Sequence, residues 1–350
     1  MRSSFREDDV TILLTDITGK VEPLGNLERE HNIQNGMHYS EMLPKEKAPS
    51  AEYELTYNQA LSRYAERTAQ AVAVACGKIW REKRENVVLV SLARAGTPIG
   101  VLMKRYIKMR YQIDVPHYTI SIIRGKGIDH NAMRYILQRH MPEFIQFVDG
   151  WTGKGAIQRE LNQAMVQYPG VDPELAVLSD PANLVRKCGT HEDFLIASSC
   201  LNSTVSGLIS RTFFRSDIIS DIQFHGAMYY AEFEEQDVTY EFIDTVERYF
   251  DVISDIDPEY DELQRCGLDE VYEIAKCFSI DDINLIKPGI GETTRVLMRR
   301  IPWKILVYSL NDKEHLGHIY QLAKEKEVPV EVYPLQNYRA CGLIQILADN

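Results

Sequence analysis

The chain has 350 residues, 45% of them hydrophobic, and its 39 basic and 51 acidic residues give a formal net charge of -12. That length and apolar content suit two or three globular domains with sizeable cores, and no apolar run approaches the roughly 18 residues a membrane-spanning helix needs. The N-terminal MRSSFREDDVTILL lacks a secretory pattern, and six cysteines without a CxxC pair exclude a zinc ribbon and a disulfide framework. Unpaired cysteines suit a reducing, cytoplasmic location. The charge is concentrated: Ala231 to Glu262 holds 13 acidic residues and one basic residue, Arg248, which accounts for the whole excess. Confined to one segment, it reads as a solvated helix face and loop rather than a barrier to nucleic acid.

Residues 1–52 read as an extension, with a short strand in VTILL and a polar loop containing MHYSEMLPKEKAPS. From Tyr53 to about Arg84 the spacing predicts a helix. Leu61, Tyr64, Ala65, Ala69, Val72, Ala75, Cys76 and Ile79 recur there at three- and four-residue intervals. Strands and helices then alternate. NVVLVSL is a strand, IGVLMKRYIKMR a helix, HYTISII a strand, RGKGIDHN a glycine-bearing loop and AMRYILQRH a helix. FIQFVD, AIQRELNQAMVQ and LAVLSD continue as strand, helix and strand. This alternation predicts a parallel, doubly wound sheet, and the wholly apolar strands fit a sheet covered on both faces. After Pro181 the rhythm changes. DFLIASSCLNSTVSGLISRTFF is rich in small and hydroxylic residues and yields no firm element, and a helix in FIDTVERYFDVI follows the acidic run. A boundary is expected around Asp257-Pro258. Beyond it LDEVYEIAKCF, INLI, GETTRVLMRR, KILVYSL, EHLGHIYQLAKEKE and VPVEVYPL alternate helix and strand again. The predicted division is residues 1–52, 53–262 and 263–350.

FVDGWTGKGAI, Phe147 to Ile157, leaves a strand, bends through two glycines and starts a helix. In an α/β sheet, such a turn at a strand's carboxyl end offers backbone amides to an anion. Thr152, Gly153, Lys154 and Gly155 are the candidate phosphate cradle; an ordinary βα turn is the alternative. Gly155 follows the lysine where a Walker motif needs Ser or Thr, so that motif is excluded. SLARAGTPIG makes a second such loop with Arg94, Ala95, Gly96 and Thr97, and IIRGKGID a third with Arg124 and Lys126. Together they suggest a multi-phosphate site, with Asp149 suited to a ribose diol or a magnesium ion.

This layout resembles the type I phosphoribosyltransferases. Their signature is an apolar strand, two acids and a Thr-Gly loop for the 5-phosphate; Asp149 stands in the first acidic place and Gly150 in the second. The resemblance implies phosphoribosyl pyrophosphate as substrate with Mg²⁺ and pyrophosphate binding by Arg94 to Thr97. It also implies catalytic Arg124, Lys126 and Asp149, the cations stabilising charge on the departing pyrophosphate. HYSEMLPKEKAPS, SIIRGKGID, FVDGWTGKGAI and CLNSTVSGLISRT together resemble the phosphoribosyltransferase-like proteins of bacterial tellurium-resistance and stress operons, a family also described as the cysteine protease StiP. On the transferase reading, the main expectation, Asn202, Ser203, Thr204 and Arg211 complete a pocket for a base or nucleotide-like acceptor. On the protease reading Cys200 is the nucleophile and His225 the base, with Asp193 or Asp221 as orienter. A non-catalytic sensor of nucleotide and RNA is a further alternative. His117, His130, His140 and His191 show no metal spacing and read as structural or surface residues.

In the last domain, 10 basic and 11 acidic residues between positions 270 and 350 leave it near neutral. IKPGIGETTRVLMRR opens a helix at a glycine turn, and PGIGETTR resembles the G-x-N-E-x-x-K segment of the kink-turn RNA-binding domains shared by pelota and certain ribosomal proteins. That resemblance implies a small α/β/α domain whose Lys287, Gly289, Glu292, Arg295 and Arg299 meet RNA, with Gly291 in place of the asparagine. Such RNA is read by shape and unstacked bases. The expectation is an α/β protein: a type I phosphoribosyltransferase-like parallel sheet plus a pelota-like domain. It would act in a stress response on a small nucleotide-like molecule and RNA, away from membranes, its oligomeric state open.

Overall fold

The computed structural model describes residues 1–253, 258, 260 and 262–345. Six parallel strands form the central sheet: β1 (Thr11–Ile12), β2 (Val88–Leu92), β3 (His117–Ile120), β4 (Ile145–Val148), β5 (Leu175–Ser179) and β6 (Cys188–Thr190). Their spatial order is β1-β3-β2-β4-β5-β6. Every residue of β2 to β5 is buried, as two-sided covering requires.

The helices of this domain are α1 (Asn26–Gln34), α2 (Ala51–Lys83), α3 (Gly96–Tyr111), α4 (His130–Leu137), α5 (Ala156–Met165) and α6 (Thr239–Glu247). Strand alternation divides the core. Leu89, Val148, Ala176 and Leu178 pack with α2, α3 and α6 on one face. Val88, Val90, Phe147, Leu175 and Val177 pack with α4 and α5 on the other. The helix α2 is long because its apolar positions repeat at helical spacing. Glu52 and Glu54 in its first turn and Arg81 and Lys83 in its last complement the helix dipole.

The C-terminal domain has a four-stranded mixed sheet of β7 (Ile286–Pro288), β8 (Pro302–Val307), β9 (Val330–Val332) and β10 (Ala340–Ile344), in the order β7-β10-β8-β9. Helices α7 (Gly267–Cys277), α8 (Ile290–Arg299) and α9 (Lys313–Glu325) cover it. Ile290, Leu297, Ile305, Leu316 and Ile319 join the same apolar cluster as α2, so the two domains share buried surface.

Most of the alternating strands and helices fall where the hydrophobic pattern places them, but INLI is a 3-10 turn at Ile283–Leu285 leading into β7, helix α1 and strand β10 were not foreseen, and three further stretches differ. HYTISII does not run on as one strand: it breaks at Ser121, and Ile122–Ile123 turns into an antiparallel ribbon with Gly127–Ile128. Gly125 and Gly127, at φ of 77° and 81°, supply the turn. FIDTVERYFDVI is the helix α6 followed by a 3-10 turn at Phe250–Val252. The stretch after Pro181 holds an unforeseen edge strand, β6, then 3-10 turns at Ala197–Cys200 and Ser203–Val205. Asp257, where the boundary was expected, lies outside the described residues.

Candidate active site

The glycine loops leave the strand ends as expected, but their polar groups are already engaged. Gly96 packs so closely that a Cβ there would lie 2.6 Å from the Val148 carbonyl oxygen, so only glycine admits this approach of α3 to β4. Asp149 accepts the Gly150 N–H at 2.8 Å, and burial pushes its carboxyl up to about 6. Thr152 donates to Asp180 Oδ1. Gly153 offers its carbonyl to the Tyr338 hydroxyl at 2.7 Å, and Gly155, at φ 72°, precedes α5. Lys154 donates to the carbonyls of Ile283 and Ile286 in the C-terminal domain; burial first, then Lys287, lowers its ammonium to about 8. Arg94 pairs with Glu46 at 2.6 Å and donates to the Ile209 carbonyl at 2.8 Å. Ala95 precedes α3, and Thr97 meets Thr119 inside the sheet. Lys126 pairs with Glu41 at 2.5 Å, whereas Arg124 is exposed and contacts Asn284 at 3.4 Å.

The acceptor residues are similarly placed in structure. Ser203 donates to Glu46 at 2.8 Å, the Asn202 carbonyl accepts from Ser206, and the Thr204 carbonyl accepts the Val238 N–H. Arg211 donates to the Tyr39 carbonyl at 3.0 Å. In the C-terminal domain, Gly289 leads into α8 at φ 95°. Asp193 of the larger domain accepts the Ile290 N–H at 2.9 Å and the Arg339 N–H at 2.9 Å. Arg295 donates to the Ser199 carbonyl at 3.0 Å, lies over the Trp151 ring and pairs with Glu292 at 3.3 Å. The start of α8 is thus an interdomain contact rather than an open RNA-facing edge. Lys287 is half-buried beside it, and the Arg299 side chain lies outside the described residues.

Cys200 and His225 are not brought together. Cys200 ends a 3-10 turn and lies fully buried in the cluster around α2. His225 faces Ser121 Oγ at 2.8 Å, lies at a tilt against the Phe214 ring and donates its backbone N–H to Asp129 Oδ2; burial keeps its imidazole below the usual value. Of the expected orienters, Asp193 is taken up by the backbone of the C-terminal domain, and the Asp221 carbonyl accepts from Asn131.

A different cysteine meets a histidine. Strand β6 pairs with β5 in the register Val177 to Cys188 and Ser179 to Thr190. Asp180, at the carboxyl end of β5, donates its N–H to the Thr190 carbonyl at 2.8 Å, which turns His191 back over the strand. His191 Nε2 lies 3.5 Å from Cys188 Sγ, while Nδ1 lies 3.0 Å from the Asp180 carbonyl oxygen and 3.3 Å from Asp180 Oδ2. The Asp180 carboxylate is fully buried and fixed from the other side by the N–H groups of Leu184 at 2.8 Å and Val185 at 2.9 Å. Between cysteine and histidine stands Gly189, where a Cβ would be 2.4 Å from the Ala71 carbonyl, so α2 presses directly on the backbone of β6.

Asp180 first, and Cys188 second, raise the His191 imidazole to about 10, so the ring is a cation at neutral pH. Thiol, imidazole and carboxylate in this order make a nucleophile, a base and an orienter on opposite ring nitrogens. Among the described residues, these three also form a group of metal-capable donors within 4.8 Å of one another. The His191 side lines an open cavity of about 600 Å³ with Val74, Lys78, Gly189, Thr190, Glu192 and Pro258. His191, expected as a structural or surface residue, thus stands in a cluster with Cys188 and Asp180. The available signal was a cysteine three residues before a histidine, just after a strand ending in aspartate.

The structure thus places a thiol, an imidazole and a carboxylate together at the edge of a parallel α/β sheet. The family model described as tellurite-like stress resistance cysteine protease StiP matches residues 3–247, and the chain belongs to that family. A curated relative, the cysteine protease StiP of Acinetobacter baylyi, is 36% identical over 369 residues, covering 98% of this chain and 94% of that protein. Residues 265–346 match the PELOTA RNA binding domain. These matches overturn the phosphoribosyltransferase expectation. What they leave standing is a mixed α/β fold with a parallel central sheet and a small C-terminal α/β domain. No helix among the described residues is long and apolar enough to cross a membrane.

Proposed function

We propose that this protein is a cysteine protease in which Cys188 is the nucleophile, His191 the general base and acid, and Asp180 the group that orients the imidazole. The observation that carries the assignment is the 3.5 Å approach of Cys188 Sγ to His191 Nε2, with Asp180 on Nδ1. Family membership supports the reaction class. With His191 already holding the proton as an imidazolium, Cys188 reacts as the thiolate of an ion pair and attacks a peptide carbonyl. Collapse breaks the C–N bond while the imidazolium gives its proton to the departing amine. A water molecule then yields a proton to His191, attacks the thioester and releases the acid. Cys188 is fully buried, so a substrate entering from the cavity beside His191 requires the end of β6 and residues 191–192 to open.

The test is cleavage of an unfolded protein or quenched peptide library by wild type, Cys188→Ala and Cys200→Ala. Activity absent in Cys188→Ala and retained in Cys200→Ala is expected. The reverse would move the nucleophile to Cys200, and stoichiometric zinc in the purified protein would replace the triad with a metal site. The C-terminal domain is proposed to bind RNA, as its family match suggests. A mobility shift of labelled RNA by the full chain tests it.

A further inference from the structure

Away from the protease site, a group of cations collects where the two domains meet, and the chemistry above does not use it. Its centre is the aromatic pair His38 and Tyr39, whose rings lie 4.5 Å apart. Arg211 lies over the Tyr39 ring at 4.6 Å and Arg124 at 5.8 Å. The Arg124 carbonyl accepts from His38 Nε2 at 3.1 Å, and the Arg124 N–H donates to the Tyr39 hydroxyl at 2.9 Å, so the exposed hairpin is held on this platform. The Arg124 guanidinium reaches across to Asn284 of the C-terminal domain, next to Lys287.

The positive groups are not balanced. Burial, then Arg29 and, further down, Arg94 and Arg124 lower the Arg211 guanidinium to about 10. Burial lowers the Lys287 ammonium, with Arg124 and Arg300 acting in the same direction. The nearby acids are engaged: Glu41 with Lys126, Glu46 with Arg94, Glu292 with Arg295, and Asp282 with the Asn284 N–H. Glu160 accepts the Gly125 N–H at 2.7 Å. Among the described residues, neither Arg124 nor Arg211 has a carboxylate partner. Cations interleaved with half-buried aromatic rings resemble what single-stranded nucleic acid needs, since phosphates take the charge and unstacked bases take the rings.

We propose that single-stranded RNA lies across both domains, its phosphates on Arg211, Arg124 and Lys287 and an unstacked base against Tyr39. This rests on the RNA-binding reading of the C-terminal domain and adds that the larger domain supplies half of the surface. The experiment is fluorescence anisotropy of a labelled, unstructured RNA oligonucleotide against the full chain at several salt concentrations. Wild type is compared with Arg124→Ala, Arg124→Ala/Arg211→Ala and Tyr39→Ala, each checked for a native thermal transition. The double variant should bind at least about tenfold more weakly, with a salt slope shallower by about 1.4, as two lost phosphate contacts on a single strand require. Tyr39→Ala should weaken binding by about fivefold or more. Unchanged affinity and slope in folded Arg124→Ala and Tyr39→Ala would overturn the two-domain surface while leaving RNA binding intact. Failure of wild type to bind any RNA would instead remove the reading beneath it. Displacement of the RNA by polyglutamate at equal charge concentration would overturn the choice of RNA in favour of an acidic peptide.

Discussion

Cys188 and Cys200 are both fully buried in apolar clusters, and both lie in the stretch between β5 and α6, yet a histidine approaches the sulfur of Cys188. Cys200 closes a turn inside an apolar cluster with Tyr57, Phe194 and Val205. Cys188 sits on an edge strand with an imidazolium 3.5 Å from its sulfur. The neighbours, rather than exposure or the look of the flanking sequence, separate these two residues chemically.

The largest effect should come from removing the orienter while leaving the thiol and the ring in place. Asp180→Asn is expected to lower kcat by about 10³-fold or more, the scale seen when a triad loses its carboxylate. Single-turnover cleavage measures it, and a change of less than about threefold would erase the distinction between the two cysteines. Next in size is Gly189→Ala. With a carbonyl 2.4 Å from the new Cβ, the strand must shift, at a cost of about 1–3 kcal/mol of stability in urea unfolding. Activity should fall in the same variant, because Cys188 and His191 flank the shifted residue.

A pH dependence tests the same contact. The His191 pKa is raised from 6.5 to about 10 in the folded protein. Its contribution to stability is therefore fully present below about pH 6.5 and is lost as pH rises through about 10. The thermal midpoint of wild type should decline more steeply over that window than that of His191→Gln. Parallel curves would mean that the imidazole does not face Asp180 as a cation.

The fold was legible where burial imposes a period. Helix α2 shows the three- and four-residue recurrence of Leu61, Ala65, Ala69, Val72, Cys76 and Ile79, and β2 and β5 are apolar throughout because both faces are covered. The site was less legible. Strand β6 is only Cys188–Thr190, carries a glycine and lies on the sheet's edge, so it has no hydrophobic period to read. Asp180 and His191 approach because one strand end hydrogen-bonds to the next, which is tertiary information. The transferase expectation failed for a related reason. A glycine turn after a strand looks the same whether its lysine meets a phosphate or, like Lys154, the carbonyls of Ile283 and Ile286.

Those carbonyls belong to a wider seam. The Gly267 N–H donates to the Ala182 carbonyl, Asn337 to Pro181, Tyr338 to Gly153, and both Ile290 and Arg339 to Asp193. Ala182 itself is packed in the apolar cluster of the C-terminal domain. A covalent tether is therefore not what keeps the halves in register. If a protease, including a second copy of this one, cut the connection between residues 253 and 265, the fragments should still travel as one particle through a sizing column and part only in denaturant.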